Sequence, residues 1–118
     1  MASSAQTSVR RIGEVVRIDF IDRSILDELN IHQMGEEIFR AVDSEHRPRV
    51  VLVFSNVQHM SSAAQGTLIK VHDRIKTRDG QLRLCELQPR IREGFKITRL
   101  DRLFSIHDTF EDALASFA

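Results

Sequence analysis

The sequence predicts a single α/β domain, in which helices cover the faces of a mixed sheet of four to five strands. Three observations lead to this prediction. The chain has 118 residues, the length of one domain. Strand-like and helix-like patterns alternate along most of it, as in sheets whose parallel strands are joined by helical crossovers. The run Val50–Phe54 is continuously apolar and rich in β-branched residues, which is typical of a strand buried on both faces.

The N-terminal part of the chain predicts a tail followed by two strands. Residues 1–8 are mostly small and polar and have neither the basic nor the apolar segment of a signal peptide. We therefore expect a disordered tail over residues 1–8 and a domain over residues 9–118. Two short strands with a turn at Gly13 follow, and apolar and charged residues alternate from Val16 to Phe20, as in a half-buried strand.

The middle of the chain predicts two helices and a strand. Apolar residues at helical spacing indicate a first helix from about Asp27 to Ser44, which ends before Pro48 because proline cannot continue the hydrogen-bond ladder. A second helix is expected to start at Ser61 and to end in a glycine cap at Gly80. Alternating residues then predict a strand over Gln81–Leu87.

The C-terminal part predicts a helix, a strand and a last helix. Pro89 suits the first turn of a short helix, because its fixed φ angle matches the helical value. Residues Leu103, Phe104 and Ile106 predict a short final strand, and Asp108–Thr109 is expected to cap the last helix.

Composition excludes several classes of protein. Seventeen basic and seventeen acidic residues give a formal charge of +0, which argues against a nonspecific nucleic-acid binder and a basic membrane-surface helix. The longest apolar run, Val50–Phe54, is far shorter than the about 20 residues that span a bilayer. The single cysteine, Cys85, can form neither an internal disulfide nor a thiolate metal site, so we expect a cytoplasmic protein.

Motifs of catalysis and of cofactor binding are not found in the sequence. The five histidines lack metal-ligand spacing, and the chain has neither a glycine-rich phosphate loop nor a known nucleophile motif. We therefore expect no metal, no cofactor and no enzymatic activity.

The turn between the buried strand and the second helix carries the candidate site. Positions beyond the carboxyl ends of strands are favoured for ligands in open α/β sheets. Ser62 and Gln65 have capping-box spacing, in which the serine accepts from free amides of the first turn and the glutamine reaches back. A helix cap alone explains this spacing. The alternative is that Ser62 accepts a phosphate, whose charge of about −1.5 to −2 would meet the positive end of the helix dipole.

Residues Val50–Phe117 resemble the STAS domain, the fold of anti-sigma factor antagonists. The resemblance rests on the buried strand, on the serine pair that opens a helix, and on the segments Asp79–Pro89 and Ile97–Phe104. The stretch Leu-Asp-Arg-Leu-Phe in the last segment is the most specific part. The family usually has Asp-Ser-Ser-Gly-Leu-Gly at the helix start, which falls on residues 61–66 here. The serine that is phosphorylated in the family falls on Ser62, and its acidic neighbour is replaced by Ser61.

This resemblance implies a regulatory protein-binding domain that is not an enzyme. The domain would bind an anti-sigma factor, often itself a serine protein kinase. Phosphorylation of Ser62, with Ser61 as the alternative acceptor, would end the binding, and a phosphatase would restore it. The residues expected at the partner surface are Asn56, His59, Ser61, Ser62, Gln65 and Asp27. We expect a monomer or weak dimer that contacts no nucleic acid and does not insert into membranes.

Two alternatives stay open. The replacement of the acidic neighbour by Ser61 is compatible with a STAS scaffold that is not phosphorylated, or with an accessory subunit of a membrane transporter. The cleft expected at the turn is compatible with a sensor of small ligands such as nucleotides or lipids.

Overall fold

The computed structural model describes residues 5–117, which form seven strands and five helices. The strands are β1 (Thr7–Ile12), β2 (Val15–Phe20), β3 (Ser24–Ile25), β4 (Arg49–Val53), β5 (His59–Met60), β6 (Gln81–Cys85) and β7 (Ser105–His107). The helices are α1 (Glu28–Asp43), α2 (Ser62–Thr77), α3 (Pro89–Ile97), α4 (Leu100–Leu103) and α5 (Phe110–Ala115).

Five of the strands form one mixed sheet in the order β1-β2-β4-β6-β7. β1 is antiparallel to β2, and the other neighbours are parallel. Strands β3 and β5 form a separate parallel ribbon of two residues each. The prediction of an α/β domain with a mixed sheet of four to five strands is therefore confirmed.

Strand β4 lies at the centre of the sheet and is buried on both faces, as its apolar run predicts. Val50 and Leu52 belong to the larger hydrophobic core, which α1 and α2 cover. Val51 and Val53 face the opposite side and pack with Phe110 of α5. Each such side chain contributes about 1.5–3 kcal/mol when fully buried, so a polar substitution anywhere along β4 would be costly.

The first helix agrees closely with its sequence pattern. The predicted span Asp27–Ser44 corresponds to α1 with its two capping residues. Its apolar stripe packs inward, and Met34 and Ile38 are almost fully buried. The spacing of apolar residues therefore identified both the helix and its buried face.

Strand β1 begins at Thr7, two residues before the boundary expected at Val9. Thr7 is buried, and the Glu37 carboxylate of α1 accepts hydrogen bonds from the backbone N–H groups of Gln6 (3.0 Å) and Thr7 (2.8 Å). Thr7 and Glu37 are 30 residues apart, so no local pattern revealed this contact. Residues 1–4 of the expected tail lie outside the described residues.

The end of α2 differs from the predicted glycine cap. Asp79, not Gly80, adopts the left-handed conformation, with φ of 60°. The N–H of Asp79 donates to the Lys76 carbonyl, and the N–H of Gly80 donates to the Ile75 carbonyl, as in a Schellman motif. Gly80 is needed for another reason, because a Cβ there would lie 2.3 Å from the carbonyl oxygen of Pro48.

The segments after α2 are shorter than predicted. β6 ends at Cys85 because Glu86 has a left-handed backbone, with φ of 59°, which interrupts the extended chain. Leu103 ends the short helix α4, and the last strand begins at Ser105, where pairing with Arg83 of β6 starts. The predicted cap of the last helix is confirmed, because the Thr109 hydroxyl accepts from the N–H of Asp112.

Candidate functional site

The candidate site lies beyond the carboxyl end of β4, where the chain crosses to α2. The ribbon of β3 and β5 holds this crossing in place. The Arg23 carbonyl accepts from the N–H groups of Gln58 and His59, and the Ile25 carbonyl accepts from the N–H of Ser61 at 3.1 Å. The ribbon was not predicted, because two-residue strands are too short to show an alternating pattern.

Ser61 is the N-cap of α2, and Ser62 is the first helical residue. Ser61 has an extended backbone, and its Oγ accepts from the N–H of Ala64 at 3.2 Å. Its carbonyl accepts from the N–H of Gln65. The predicted capping box that begins at Ser62 is therefore wrong by one residue. The Ser61 N–H donates to the Ile25 carbonyl, which keeps Ser61 extended. Ser61 therefore takes the cap position, and the helix starts at Ser62, one residue earlier than a cap at Ser62 would allow.

Ser62 is exposed at the start of a 16-residue helix. Within residues 5–117, no hydrogen bond uses its hydroxyl group. The first turn of α2 carries no acidic residue, and its last turn carries Arg74 and Lys76. The N–H groups at this helix end, together with the dipole, favour a negative charge. The Ser62 hydroxyl is thus accessible and lies in a setting that suits an anion.

His59 and Arg90 form a polar contact beside the serines. Nη1 of Arg90 lies 3.3 Å from Nδ1 of His59. Two open cavities, of about 270 and 330 Å³, share Gln58, His59 and Arg90 in their walls. Leu26 lines the larger cavity and is 55% exposed. Arg90 and Leu26 were not predicted as site residues, because only the fold brings α3 and the β3 segment to this turn.

The remaining predicted residues lie at the same end of the sheet. Asn56 is exposed and its amide donates to the Phe20 carbonyl at 3.4 Å. Gln65 is half-buried and lines the larger cavity. Asp27 is exposed at the N-cap of α1, with no capping hydrogen bond from its side chain. Asp27 lies two positions after Ile25, which pairs with Met60 in the ribbon. The structure therefore places all six predicted residues at one end of the domain.

The thiol of Cys85 is buried and unreactive. Its side chain is buried, and burial raises the pKa of the thiol to about 12. It is therefore protonated at neutral pH and behaves as a small apolar residue. Among residues 5–117, no three His, Cys, Asp or Glu side chains cluster as metal ligands would. No helix in that range has the length and hydrophobicity needed to cross a bilayer.

Comparison with known proteins agrees with the resemblance seen in the sequence. A family model described as the STAS domain matches residues 8–113. The relative named "Putative anti-sigma factor antagonist BtrV", from Bordetella bronchiseptica, is 32% identical over 95 residues, which are 80% of this chain and 81% of that protein.

Solved structures show the same fold. An anti-sigma-factor antagonist (STAS) domain protein from Planctomyces limnophilus has a TM-score of 0.87 at 23% identity, over 98% of this chain and 100% of that chain. The phosphorylated form of the Bacillus cell fate determinant SpoIIAA has a TM-score of 0.69 at 17% identity, over 95% and 99% of the two chains.

Proposed function

Because this chain belongs to the STAS domain family, we propose that it is a regulatory domain that binds an anti-sigma factor with serine kinase activity and is released by phosphorylation of Ser62. The observation that carries the proposal is the position of Ser62, which is exposed in the first turn of α2 while its neighbour Ser61 forms the cap. The phosphorylated form of the structural relative SpoIIAA supports the same reading.

Ser62 can take a phosphate without any loss of structure. Its hydroxyl makes no hydrogen bond within the described residues, and the helix dipole favours a negative charge at this end. Ser61 is a poorer acceptor, because it is half-buried and its Oγ caps the helix. Losing such a cap costs about 1 kcal/mol. We therefore assign Ser62 as the acceptor and Ser61 as the residue that positions it.

A phosphate at Ser62 would change the partner surface strongly. The chain has a formal charge of +0, and one phosphoserine adds about two negative charges. The new charge would stand among Asn56, His59 and Gln65, at the centre of the proposed contact surface. Interfaces tolerate an unmatched charge poorly, since contact with a like charge and removal of the charge from water each cost several kcal/mol of binding free energy. Phosphorylation would therefore release the partner, and a phosphatase would restore binding in the cytoplasm.

The experiment combines phosphorylation with binding. The chain is incubated with ATP and each anti-sigma-type serine kinase encoded by its source genome, and the phosphate is located by mass spectrometry. We expect phosphate on Ser62, none on a Ser62→Ala variant, and retained phosphorylation of a Ser61→Ala control. Calorimetry should show that Ser62→Glu weakens kinase binding at least about tenfold, since a mismatched interface charge costs more than 1.4 kcal/mol. A kinase that binds tightly and leaves Ser62 unmodified would refute the switch.

A second candidate function is a scaffold that binds its partner without being phosphorylated, including an accessory role at a transporter. It is favoured by Ser61, which stands where the family has an acidic residue. A scaffold predicts tight partner binding that Ser62→Glu leaves unchanged.

The cavities beside His59 leave a third candidate, a sensor of small ligands. Their volumes of about 270 and 330 Å³ lie just below and just above the lower limit of about 300 Å³ for ligand pockets. A sensor predicts that nucleotides or lipids raise the melting temperature of the protein.

A further inference from the structure

The outer edge of the sheet carries an unpaired strand with an apolar groove beside it. β1 is an edge strand, and every residue after Thr7 in it is exposed. A groove of about 520 Å³ runs between β1 and α1, with Ala5, Val9 and Ala41 among its lining residues. Val9 is 47% exposed. The N–H of Thr7 donates to Glu37, but an edge strand presents further N–H and C=O groups after that residue, to which another strand can pair.

The groove contains the carboxylate of Glu37 and, further along its wall, the side chain of Arg40. Glu37 lines the groove and accepts hydrogen bonds from Gln6, Thr7 and Gln33. Desolvation raises the pKa of Glu37. The hydrogen bonds together lower it by more than desolvation raises it, so its pKa lies below the ordinary value. Among residues 5–117, no basic side chain forms an ion pair with Glu37. A strand that occupies this edge would therefore gain from a cation placed over the groove.

We propose that the occupant is a second copy of this chain, which adds its own β1 antiparallel to β1 and centres the pairing on Val9. In this register Val9 lies opposite Val9 of the second copy, and Arg11 lies opposite Thr7. Arg11 shares the α1 side of the sheet with Thr7 and Val9, because their partners in β2, from Val16 to Phe20, are the core-facing residues. Each Arg11 would thus reach over the other copy's groove toward Glu37.

The register is self-complementary. Arg10 faces Ser8 of the other copy, so no arginine stands directly opposite another. Arg11 pairs with Glu45 of its own chain at 2.6 Å. The Arg11 side chain is 57% exposed, although that of Glu45 is only 20% exposed, so Arg11 can exchange this contact for Glu37 at a modest cost. One strand pair buries less than the about 1,600 Å² of a standard stable interface, so the dimer should be weak and concentration-dependent.

A cysteine cross-link tests the register directly. In the proposed pairing, the two Val9 Cα atoms lie about 4.5–5.5 Å apart, which suits a disulfide. A Val9→Cys variant should therefore oxidise to a dimer at least about tenfold faster than a Ser8→Cys control, because associated thiols react at a raised effective concentration. The two Ser8 positions are separated by two further residues along the strands, beyond the about 7 Å limit. Buried Cys85 should not compete.

Sedimentation provides the second measurement. The mass of the wild-type chain should rise from 13.6 kDa toward that of a dimer as its concentration approaches about 1 mM. Arg11→Glu should weaken association at least about tenfold, because it places a like charge beside Glu37. Arg10→Glu, on the opposite face of the same strand, is the matched control and should associate normally; circular dichroism confirms that both variants fold.

Three results would overturn the proposal. A wild-type chain that stays monomeric at every concentration up to about 1 mM would exclude a second copy as the occupant and would favour a strand of another protein. Equal cross-linking of Val9→Cys and Ser8→Cys would exclude the register. Equal weakening by Arg10→Glu and Arg11→Glu would exclude the contact with Glu37. None of these results bears on Ser62, which lies at a different part of the molecule, so failure here is distinct from failure of the proposed function.

Discussion

Replacing Glu37 by glutamine should loosen the first strand of the sheet. The carboxylate accepts from the N–H groups of Gln6 and Thr7, from the Thr7 hydroxyl, and from the Gln33 amide at 3.0 Å. Glutamine keeps the shape of the side chain but replaces one acceptor oxygen with an NH₂ donor. If its oxygen stays with Thr7, that NH₂ group faces the donors of Gln6 and Gln33. The bond from Gln33 is then lost, and Gln6 keeps only its longer contact of 3.2 Å to the oxygen that binds Thr7.

The magnitude follows from the lost bonds. A hydrogen bond to a charged group contributes about 1.5–3 kcal/mol, and water replaces part of this at the half-exposed site, so we expect a loss of about 1–2 kcal/mol. For a domain of this size the melting temperature should fall by about 4–8 °C. Hydrogen exchange should quicken at the start of β1 before other strands, because the lost contacts hold that segment to α1.

The loss should depend on pH. The pKa of Glu37 is lower in the folded protein than its ordinary value of 4.5, so its stabilisation is fully present above that value. It is lost as the pH falls through the folded pKa. Glutamine does not titrate, so the stability gap between the wild type and Glu37→Gln should be largest near neutral pH and should narrow on acidification.

Urea unfolding at a series of pH values measures this gap. Glu36→Gln is the matched control, because Glu36 lies on the same helix with an exposed side chain, and its carboxylate has only the His32 ring nitrogen, at 3.8 Å, as an ion-pair neighbour within residues 5–117. The control should unfold within about 0.5 kcal/mol of the wild type. The reasoning is refuted if Glu37→Gln is as stable as the wild type at neutral pH, or if the gap stays constant as the pH falls.

Two further predictions concern the ends of α2. Gly80→Ala should destabilise the protein by about 2 kcal/mol or more, because the added Cβ lies 2.3 Å from the Pro48 carbonyl oxygen. Gly66→Ala, where a Cβ meets nothing within 4 Å, should stabilise it by up to about 1 kcal/mol, and thermal melts that shift both variants alike would contradict this account. Ser61→Ala should cost about 1 kcal/mol as a lost cap, whereas Ser62→Ala should be nearly neutral. Greater destabilisation by Ser62→Ala in urea titrations would show that the cap is misassigned.

The elements with strong local patterns were predictable. The continuous apolar run at Val50–Phe54 identified the central strand and its burial on both faces. The helical spacing between Asp27 and Ser44 identified α1 to within its caps. In these segments the side chains that decide the structure are near neighbours in the chain, so their spacing carries the information.

The candidate site was predictable in position but not in detail. The serine pair after the buried strand lies at the carboxyl end of the sheet, as a strand-to-helix connection predicts, and its role as a site stays a prediction. The cap was expected at Ser62 but is Ser61, whose N–H donates to the Ile25 carbonyl, so that the helix starts at Ser62. Arg90 entered the site only through the packing of α3 against the turn.

The sequence by itself determined the succession along the chain of the five main-sheet strands and of α1, α2, α3 and α5, the doubly buried centre of the sheet, and the turn that carries the serines. Only the tertiary structure decided which serine caps α2, that the left-handed residue is Asp79 with Gly80 packed on Pro48, and that Glu37 fastens the first strand. The physical reason is the range of the contacts. Periodic burial repeats within a few residues, whereas each of these details depends on a hydrogen bond or a close approach between segments that meet only after folding.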